Sequence, residues 1–599
     1  MFIERRSTRS AVGEGRLLTG GMVRGVIALM MLVPVILELG WHARPFGIPD
    51  GLLHGVLVVL WVAHLGVMWW SAAMWRGGGG GWGGFVAHHR VESFVMGLGL
   101  VMAWSFGALS WCVAVLVVLT ILRGHAWLVG RGVSPSVLFL MSFVLLIGSG
   151  TGLWMLPAAT PPEKRIGVID ALFTSTSAVC VTGLSVRDTG TEFTRFGQTV
   201  ILTLIQSGGL GIILFGALLL LAFGGAVDLR SSREITGGAT GLTGGMSAGD
   251  YLKRVVGIVF GVELAGAALL YFFWPVSWVG APADLGEAGG RVFHCVFTSV
   301  SALCNAGFST TANSLQGLRL HWTTHVVIAL LITAGGIGMP VIINLWGTAR
   351  ARVLRGRGAM GADGKLIRLT LHTKIVLVTT LVVYLVGGFG ILMSRLSWGG
   401  ESFGAALLDA HFMSVTTRTA GFDTVAPNQM GILSRFVMMV QMFIGGSPAS
   451  TAGGVKTVAV AAIGLTVWNT IRGRAETNAF GRALTDEMVR RAAVLIVLGL
   501  VTVASLATVL TVTDPRGLES EAGQAEAFEE ILFESVSACG TVGLTMGLTP
   551  ELSDEGKVAV SIGMFMGRVG PLAFLMALAG AARRTPDSAR YAREDVVMG

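Results

Sequence analysis

From residue 134 onward, long apolar runs alternate with short polar stretches in a fixed order. The runs fall at about 136–156 and 198–225, 255–275 and 324–346, 375–393 and 432–468, and 492–512 and 557–581. Between the members of each pair lies a short polar stretch ending near a glycine. These are Ser175–Ser185 (STSAVCVTGLS), Ser299–Ser309 (SVSALCNAGFS), Met413–Asp423 (MSVTTRTAGFD) and Ser535–Thr545 (SVSACGTVGLT). They align without gaps on Gly183, Gly307, Gly421 and Gly543, which are 124, 114 and 122 residues apart. A recurrence of this kind marks an internal repeat, and each unit reads as helix, short polar half-helix, glycine turn, helix. Three earlier runs, at about 21–40, 52–75 and 94–122, carry no copy of the motif.

The pattern divides the chain into an accessory membrane region at 1–132, four units at 133–230, 231–350, 351–475 and 476–582, and a tail at 583–599. Charged residues are 13% of the chain, against about a quarter in a soluble one, and mean hydropathy is +0.71. Apolar runs of about 18 residues or more then predict an all-α polytopic membrane protein. The 86 glycines suit close helix approach in a bilayer. The net charge of +8 sits mostly in short loops, so nucleic acid is not expected as a partner. The five cysteines show neither metal-ligand spacing nor a disulfide pattern.

Basic residues cluster between units: Arg230, Arg233, Lys253 and Arg254; then Arg350 through Arg368, including Arg357 and Lys365; then Arg472 through Arg491. Arg583, Arg584 and Arg590 lie near the end of the chain. The positive-inside rule puts these loops and the C-terminus in the cytoplasm, and each glycine stretch toward the outer side. The N-terminal region stays open. Arg5, Arg6, Arg9 and Arg16 argue for an inside start, yet three spans would carry Arg123 and Arg131 outside. Either the start is outside, or one run is interfacial, or 94–122 folds back. Gly77–Gly81 reads as a linker.

Glycine after a Ser/Thr-rich half-helix suits an ion filter. Irregular backbone at membrane depth survives only where it is buried or lines water. Glycine permits angles that turn successive carbonyls inward, and four such turns about one axis would replace the hydration shell of a cation. The expected carbonyls belong to Val181, Thr182 and Gly183; Asn305, Ala306 and Gly307; Thr419, Ala420 and Gly421; and Thr541, Val542 and Gly543. Four glycines without a bulkier substitute favour potassium over sodium.

The stretches AVCVTGLS (Ala178–Ser185), LIQSGGLG (Leu204–Gly211), SALCNAGFS (Ser301–Ser309), TRTAGFD (Thr417–Asp423) and GGSPASTAGGVKT (Gly445–Thr457) resemble the membrane subunits of the Trk/Ktr/HKT potassium-uptake superfamily, most closely the KtrB branch, over about 134–582. The resemblance implies potassium uptake at a bacterial plasma membrane, with K+ at the filter carbonyls. It also implies a homodimer embedded in membrane lipids and docked on a separate cytoplasmic nucleotide-binding subunit of KtrA/TrkA type. A sodium-selective or Na+/H+-coupled transporter of the same fold is the alternative. An enzyme is not expected: His88, His89, His294 and His411 lack ligand spacing, and no fingerprint for an organic cofactor is present.

Two features below the glycines read as gates. Gly445, Gly446, Ser447, Pro448, Ala449, Ser450, Thr451, Ala452, Gly453 and Gly454 interrupt a run of about 37 residues, too long for one span of about 30 Å. Proline and glycine should break the helix there, and the resemblance implies that this loop closes the pore. Glycine pairs recur at Gly208-Gly209, Gly335-Gly336 and Gly445-Gly446, whereas the fourth unit has Gly567-Arg568. Arg568 either projects beneath the filter and repels cations or is a structural arginine held by carbonyls or a carboxylate. Lys456 is expected on a carboxylate or snorkelling to the cytoplasmic side. Asp170, Asp409 and Glu530, near the starts of the half-helices, are expected chiefly to cap them. His411 aligns with Phe173, Phe297 and Phe533 as a packing residue, and Arg418 reads as a structural clamp.

Overall fold

The computed structural model describes residues 21–41, 51–77, 89–130, 135–223, 248–275, 284–355, 368–398, 402–474, 476–514 and 521–570, with isolated positions at 49, 86, 278, 281 and 282. Arg5, Arg6, Arg9, Arg16, Gly78–Gly81, Arg131, Arg230, Arg233, Arg357, Lys365, Arg583, Arg584, Arg590 and the run beyond Gly570 lie outside the described residues.

The described chain is almost wholly helical. The N-terminal region consists of α1 (Gly21–Leu39), α2 (Leu52–Gly77), α3 (Arg90–Val101) and α4 (Phe106–Gly130). The 94–122 run is not one straight helix. It turns at Met102–Ser105, where His54 Nε2 meets the Ala103 carbonyl at 2.7 Å, and α3 packs against α4. The four helices share a core that includes Leu57, Trp61, Met96, Leu109 and Val113. Inside it, Glu92 accepts from Arg24 at 3.0 Å and lies 3.0 Å from His64, so an intramembrane charge is paired. The bundle meets the first unit where the Ala158 N–H donates to the Gly40 carbonyl.

The first unit then runs α5 (Pro135–Trp154), α6 (Val168–Val179) and α7 (Arg195–Phe223). The second runs α8 (Ala248–Phe273), α9 (Ala288–Cys304), α10 (Trp322–Ile337) and α11 (Met339–Arg355). The third has α12 (Leu371–Trp398), α13 (Phe403–Thr416), α14 (Ile432–Phe443) and α15 (Thr457–Ile471), followed by a small hairpin of β1 (Asn478–Ala479) and β2 (Arg482–Ala483). The fourth has α16 (Asp486–Thr513), α17 (Glu521–Gly540) and α18 (Asp554–Val569).

Among the described residues, five helices are long and apolar enough to cross a membrane. α10 and α11 would qualify together, but they bend by 103° at Gly338. The apolar run expected at 324–346 is thus divided between two helices. Gly338 adopts φ +88°, which L side chains avoid, and lets the chain turn sharply there. Leu264, Phe272, Leu385 and Val386 are exposed on the outer faces of α8 and α12. Exposed apolar side chains of this density mark a surface made for another apolar phase, here the bilayer.

The short helices α6, α9 and α13, and the C-terminal part of α17, are buried instead. Their aromatic register corrects the gap-free alignment. Phe173, Phe297 and Phe533 are at most 1% exposed, and their counterpart in the third unit is Phe412 at 0%, not the half-buried His411. The backbone explains the shift. The N–H groups of Thr182, Ala306 and Val542 donate to the carbonyls five residues earlier, Ser177, Ser301 and Ser537. Ala420 donates to Thr416, only four residues earlier. The third unit thus reaches its glycine one residue sooner, and its helix register moves by one.

Candidate ion pathway

That shift aligns four polar side chains: Asp170, His294, Asp409 and Glu530. They do not cap their helices as expected. Gly167 occupies the N-cap of α6 and Ser402 that of α13, where its Oγ accepts from the Ala405 N–H. Instead, three of the four bind a basic residue of the preceding unit. Asp170 takes Lys557 of the fourth unit at 2.8 Å. His294 lies 3.0 Å from Arg195 of the first, and Asp284 bridges the two. Asp409 accepts from Arg319 of the second unit at 2.7 Å and from Arg395 of its own at 2.9 Å. In the fourth unit the neighbouring Glu529 forms an ion pair with Arg435 of the third at 3.0 Å. These pairs close a belt around all four units.

Asp409 is fully buried and pairs with two arginines, Arg319 and Arg395. Asp409→Asn is expected to cost about 3–5 kcal/mol. A clear drop in the thermal unfolding midpoint of the purified protein would show this, and an unchanged midpoint would refute it.

Inside the belt, the four glycine turns meet. Val181, Asn305, Thr419 and Thr541 have φ of +57°, +60°, +68° and +50°; Gly183, Gly307, Gly421 and Gly543 have +93°, +73°, +79° and +96°. Left-handed backbone on a β-branched residue is strained, and it persists only where the surroundings enforce it. Hydroxyls help hold these turns: Ser177 and Ser537 accept from the N–H of Gly183 and Gly543 at 3.1 Å. Ser301 and Thr416 instead donate to the Phe308 and Phe422 carbonyls.

Each glycine faces the next unit. A Cβ on Gly183 would lie 2.3 Å from the Ala306 carbonyl oxygen, one on Gly307 2.7 Å from that of Ala420, one on Gly421 2.4 Å from that of Val542, and one on Gly543 2.1 Å from that of Thr182. The order runs through all four units and returns to the first. All four glycines line one cavity of about 390 Å³, together with Asp188, Glu192 and Asp423. Burial pushes the Asp423 carboxyl above its ordinary range, against the opposing effect of hydrogen bonds from Gln316 and Ser314.

On the other side, the glycine pairs follow one rule in three units. A Cβ on Gly208, Gly335 or Gly567 would lie 1.9, 2.0 or 2.2 Å from the carbonyl oxygen of Val179, Leu303 or Cys539. Each of these carbonyls sits four residues before its unit's turn glycine. In the third unit the chain leaves the helix after Phe443 and resumes it at Thr457. The intervening segment crosses to the second unit: Ser447 N–H donates to Gly336 at 3.0 Å, Thr451 N–H to Gly335 at 3.3 Å, and Thr451 Oγ1 to Leu303 at 3.0 Å. Met339 N–H returns one bond to Ala449.

Arg568 joins the remaining units. Its guanidinium donates to the Gly208 carbonyl at 2.6 Å and to that of Thr451. Carbonyls hold it, and it spans the first, third and fourth units at once. Lys456 has no carboxylate partner among the described residues either: its Nζ donates to Ala452 at 2.8 Å and Gly453 at 3.4 Å. Both reach into the clustered carbonyls of one broken segment, which supply negative potential without an acid. Arg418 contacts the Gly445 carbonyl at 3.5 Å. Thr451 was expected only as one member of the 445–454 gate, and Gly338 was not singled out from sequence at all; the excess of glycine was its one hint.

Residues 117–582 match the family model TrkH, described as cation transport protein. The chain belongs to this family. The Ktr system potassium uptake protein B of Bacillus subtilis (strain 168) is 33% identical over 78% of this chain and 97% of its own length. The potassium/sodium uptake protein NtpJ of Enterococcus hirae is 32% identical over 79% of this chain and 98% of its own. The crystal structure of the potassium transporter TrkH from Vibrio parahaemolyticus superposes with a TM-score of 0.57 at 16% identity, covering 94% of this chain and 98% of that one. That likeness concerns the fold. Its coverage extends into the N-terminal region, whereas the two uptake-protein matches leave about a fifth of this chain unmatched. The relatives are membrane cation transporters by name, which fits a TrkH-family chain that is not an enzyme.

Proposed function

We propose that this TrkH-family chain takes up potassium across a bacterial plasma membrane through one pore formed by four helix–pore loop–helix units. The observation that carries the reading is the closed order of glycine turns, each left-handed and each pressed against a carbonyl of the next unit. Carbonyl rings of Val181, Thr182, Asn305, Ala306, Thr419, Ala420, Thr541, Val542 and the four glycines would replace the water around K+. Ser/Thr-rich helices aim their carbonyl ends at this region, which favours a cation beneath it. The broken segment at 445–454 and Arg568 form the gate, supported by their mutual hydrogen bond and their contacts with other units. The motif resemblance implies a homodimer working with a cytoplasmic nucleotide-binding subunit. The basic loops between units then face that subunit.

A sodium-permeable variant of the same function is the second reading, favoured by the relative named for both ions and by triplets that differ among the four units. The test is growth rescue of a potassium-uptake-deficient bacterium co-expressing a Ktr-type regulatory subunit, combined with rubidium and sodium flux. Rescue at low potassium with rubidium influx well above sodium influx is expected. Equal passage of both ions would establish the second reading, and no flux of either in the presence of the regulator would overturn both.

A further inference from the structure

Between α10 and α12 lies a cleft of about 380 Å³ that takes no part in the ion pathway. Its size falls at the lower end of ordinary ligand pockets, about 300–1,000 Å³. Val326, Leu330 and Leu381 line it, and these three side chains are 40%, 64% and 55% exposed. The α12 wall is one of the five helices apolar enough to cross a membrane, the α10 wall belongs to the bent apolar pair, and Leu330 and Leu381 are exposed, so the mouth opens on hydrocarbon rather than on water.

The lining also contains three polar residues that are out of place in such a cleft. Thr380 Oγ1, His411 Nε2 and Arg418 Nε are each buried without a hydrogen-bond partner, and all three residues border this one cavity. His411 Nδ1 is already engaged, 2.7 Å from the Tyr384 hydroxyl. With that hydroxyl donating, Nε2 carries the proton. The unmet demand is then two N–H donors and a hydroxyl able to donate beside them. Arg418 has no carboxylate partner among the described residues, only the long contact to Gly445. A buried cation without an anion, and buried donors without acceptors, are costly in a native structure.

We propose that this cleft binds a long-chain carboxylic acid from the bilayer, its alkyl chain along Val326, Leu330 and Leu381 and its carboxylate on Arg418, His411 and Thr380. The chemistry on the page selects this occupant. A water-soluble anion would have to cross hydrocarbon to reach the mouth. A diacyl phospholipid keeps its phosphate at the membrane surface, and its tail alone supplies nothing to the three donors. A single-chain acid brings both an apolar body and two acceptor oxygens. The site touches the ion pathway without being part of it. Arg418 lies three residues before Gly421, and Gly336, another lining residue, holds the Ser447 N–H of the broken segment.

The test uses the full chain in phosphatidylcholine nanodiscs and a palmitic acid carrying a diazirine on its chain. After irradiation, labelled peptides are mapped by mass spectrometry. Labelling is expected within 326–337 and 377–384, competed by excess palmitate but not by hexadecane. The double variant Thr380→Val, His411→Phe should lower it at least about fivefold, and Ala329→Trp, which fills the cleft, should abolish it. These variants leave Arg418 in place, so a misfolded Arg418 variant does not decide the matter. Equal competition by hexadecane would show only a greasy groove and overturn the proposal. So would labelling no stronger than at Leu264 and Phe272. A disulfide between Leu330→Cys residues of two copies, with no labelling, would show instead that a second copy covers the cleft, and would likewise overturn it.

Discussion

Replacing Arg568 by glutamine is expected to raise cation flux by about tenfold or more and to make the pore leaky without its regulator. The guanidinium donates to the Gly208 and Thr451 carbonyls from three units that meet below the glycine turns. A cation passing at roughly 6 Å would meet a repulsion of about 3 kcal/mol at an effective dielectric near 20. That alone corresponds to about a hundredfold in rate, and relaxation of the site would lower it. The same side chain also ties the broken segment, and a second variant separates the two effects. Arg568→Lys keeps the charge but offers a point ammonium in place of a planar fork. If repulsion dominates, Lys keeps the flux low; if the tether dominates, Lys leaks like Gln. Deleting 447–452 removes the bonds to Gly335, Gly336 and Leu303 along with the acceptor of Arg568, and should leak in either case. Isotope flux into proteoliposomes reads all three. Flux unchanged in Arg568→Gln and in the deletion, with protein intact, would remove the gate.

Gly183→Ser and Gly307→Ser are expected to abolish potassium-dependent growth rescue or to shift it toward sodium. The reason is local and geometric. Both glycines have positive φ, where a Cβ costs about 1–2 kcal/mol. The added atom would also stand 2.3 Å from the Ala306 oxygen in the first case and 2.7 Å from the Ala420 oxygen in the second. No backbone contact can stay that short, so the neighbouring carbonyl must turn or retreat, and the carbonyl ring loses its shape. The graded distances predict graded damage, with Gly543→Ser and Gly183→Ser more severe than Gly307→Ser. Gly152→Ser is the control, since a Cβ there meets nothing within 4 Å. Rescue untouched by every turn substitution would mean that these glycines only pack helices.

Part of the site was legible because its requirements are local. A positive φ beside a carbonyl admits glycine almost alone, so Gly183, Gly307, Gly421 and Gly543 stand out by position and recurrence. The break after Phe443 was legible for a similar reason: proline and glycines within an overlong apolar run leave few helical options. The one-residue shift in the third unit was not. Its turn closes on the carbonyl four residues back instead of five, and a serine hydroxyl gives way to Thr416 one position later. The aligned letters offered His411 where the packed aromatic is Phe412. Likewise Asp170 and Asp409 looked like helix caps because each falls near a helix start. Their partners, Lys557 and Arg319, are 387 and 90 residues away, beyond what spacing within one motif reveals.

By itself, the sequence determined what depends on composition and short-range backbone preference. It gave a helical membrane chain, four units of common pattern, the glycine turns, the broken third-unit segment and the odd arginine at 568. Only the tertiary structure decided how these parts bear on one another: which unit follows which around the glycines, which carbonyls hold Arg568 and Lys456, and where α10 and α11 bend. The physical reason is range. Apolar periodicity and glycine angles are set within a few residues. The ion-pair belt, the docking of 447–451 on Gly335 and Gly336, and the cleft beside Arg418 are set by side chains that meet only after the units have packed.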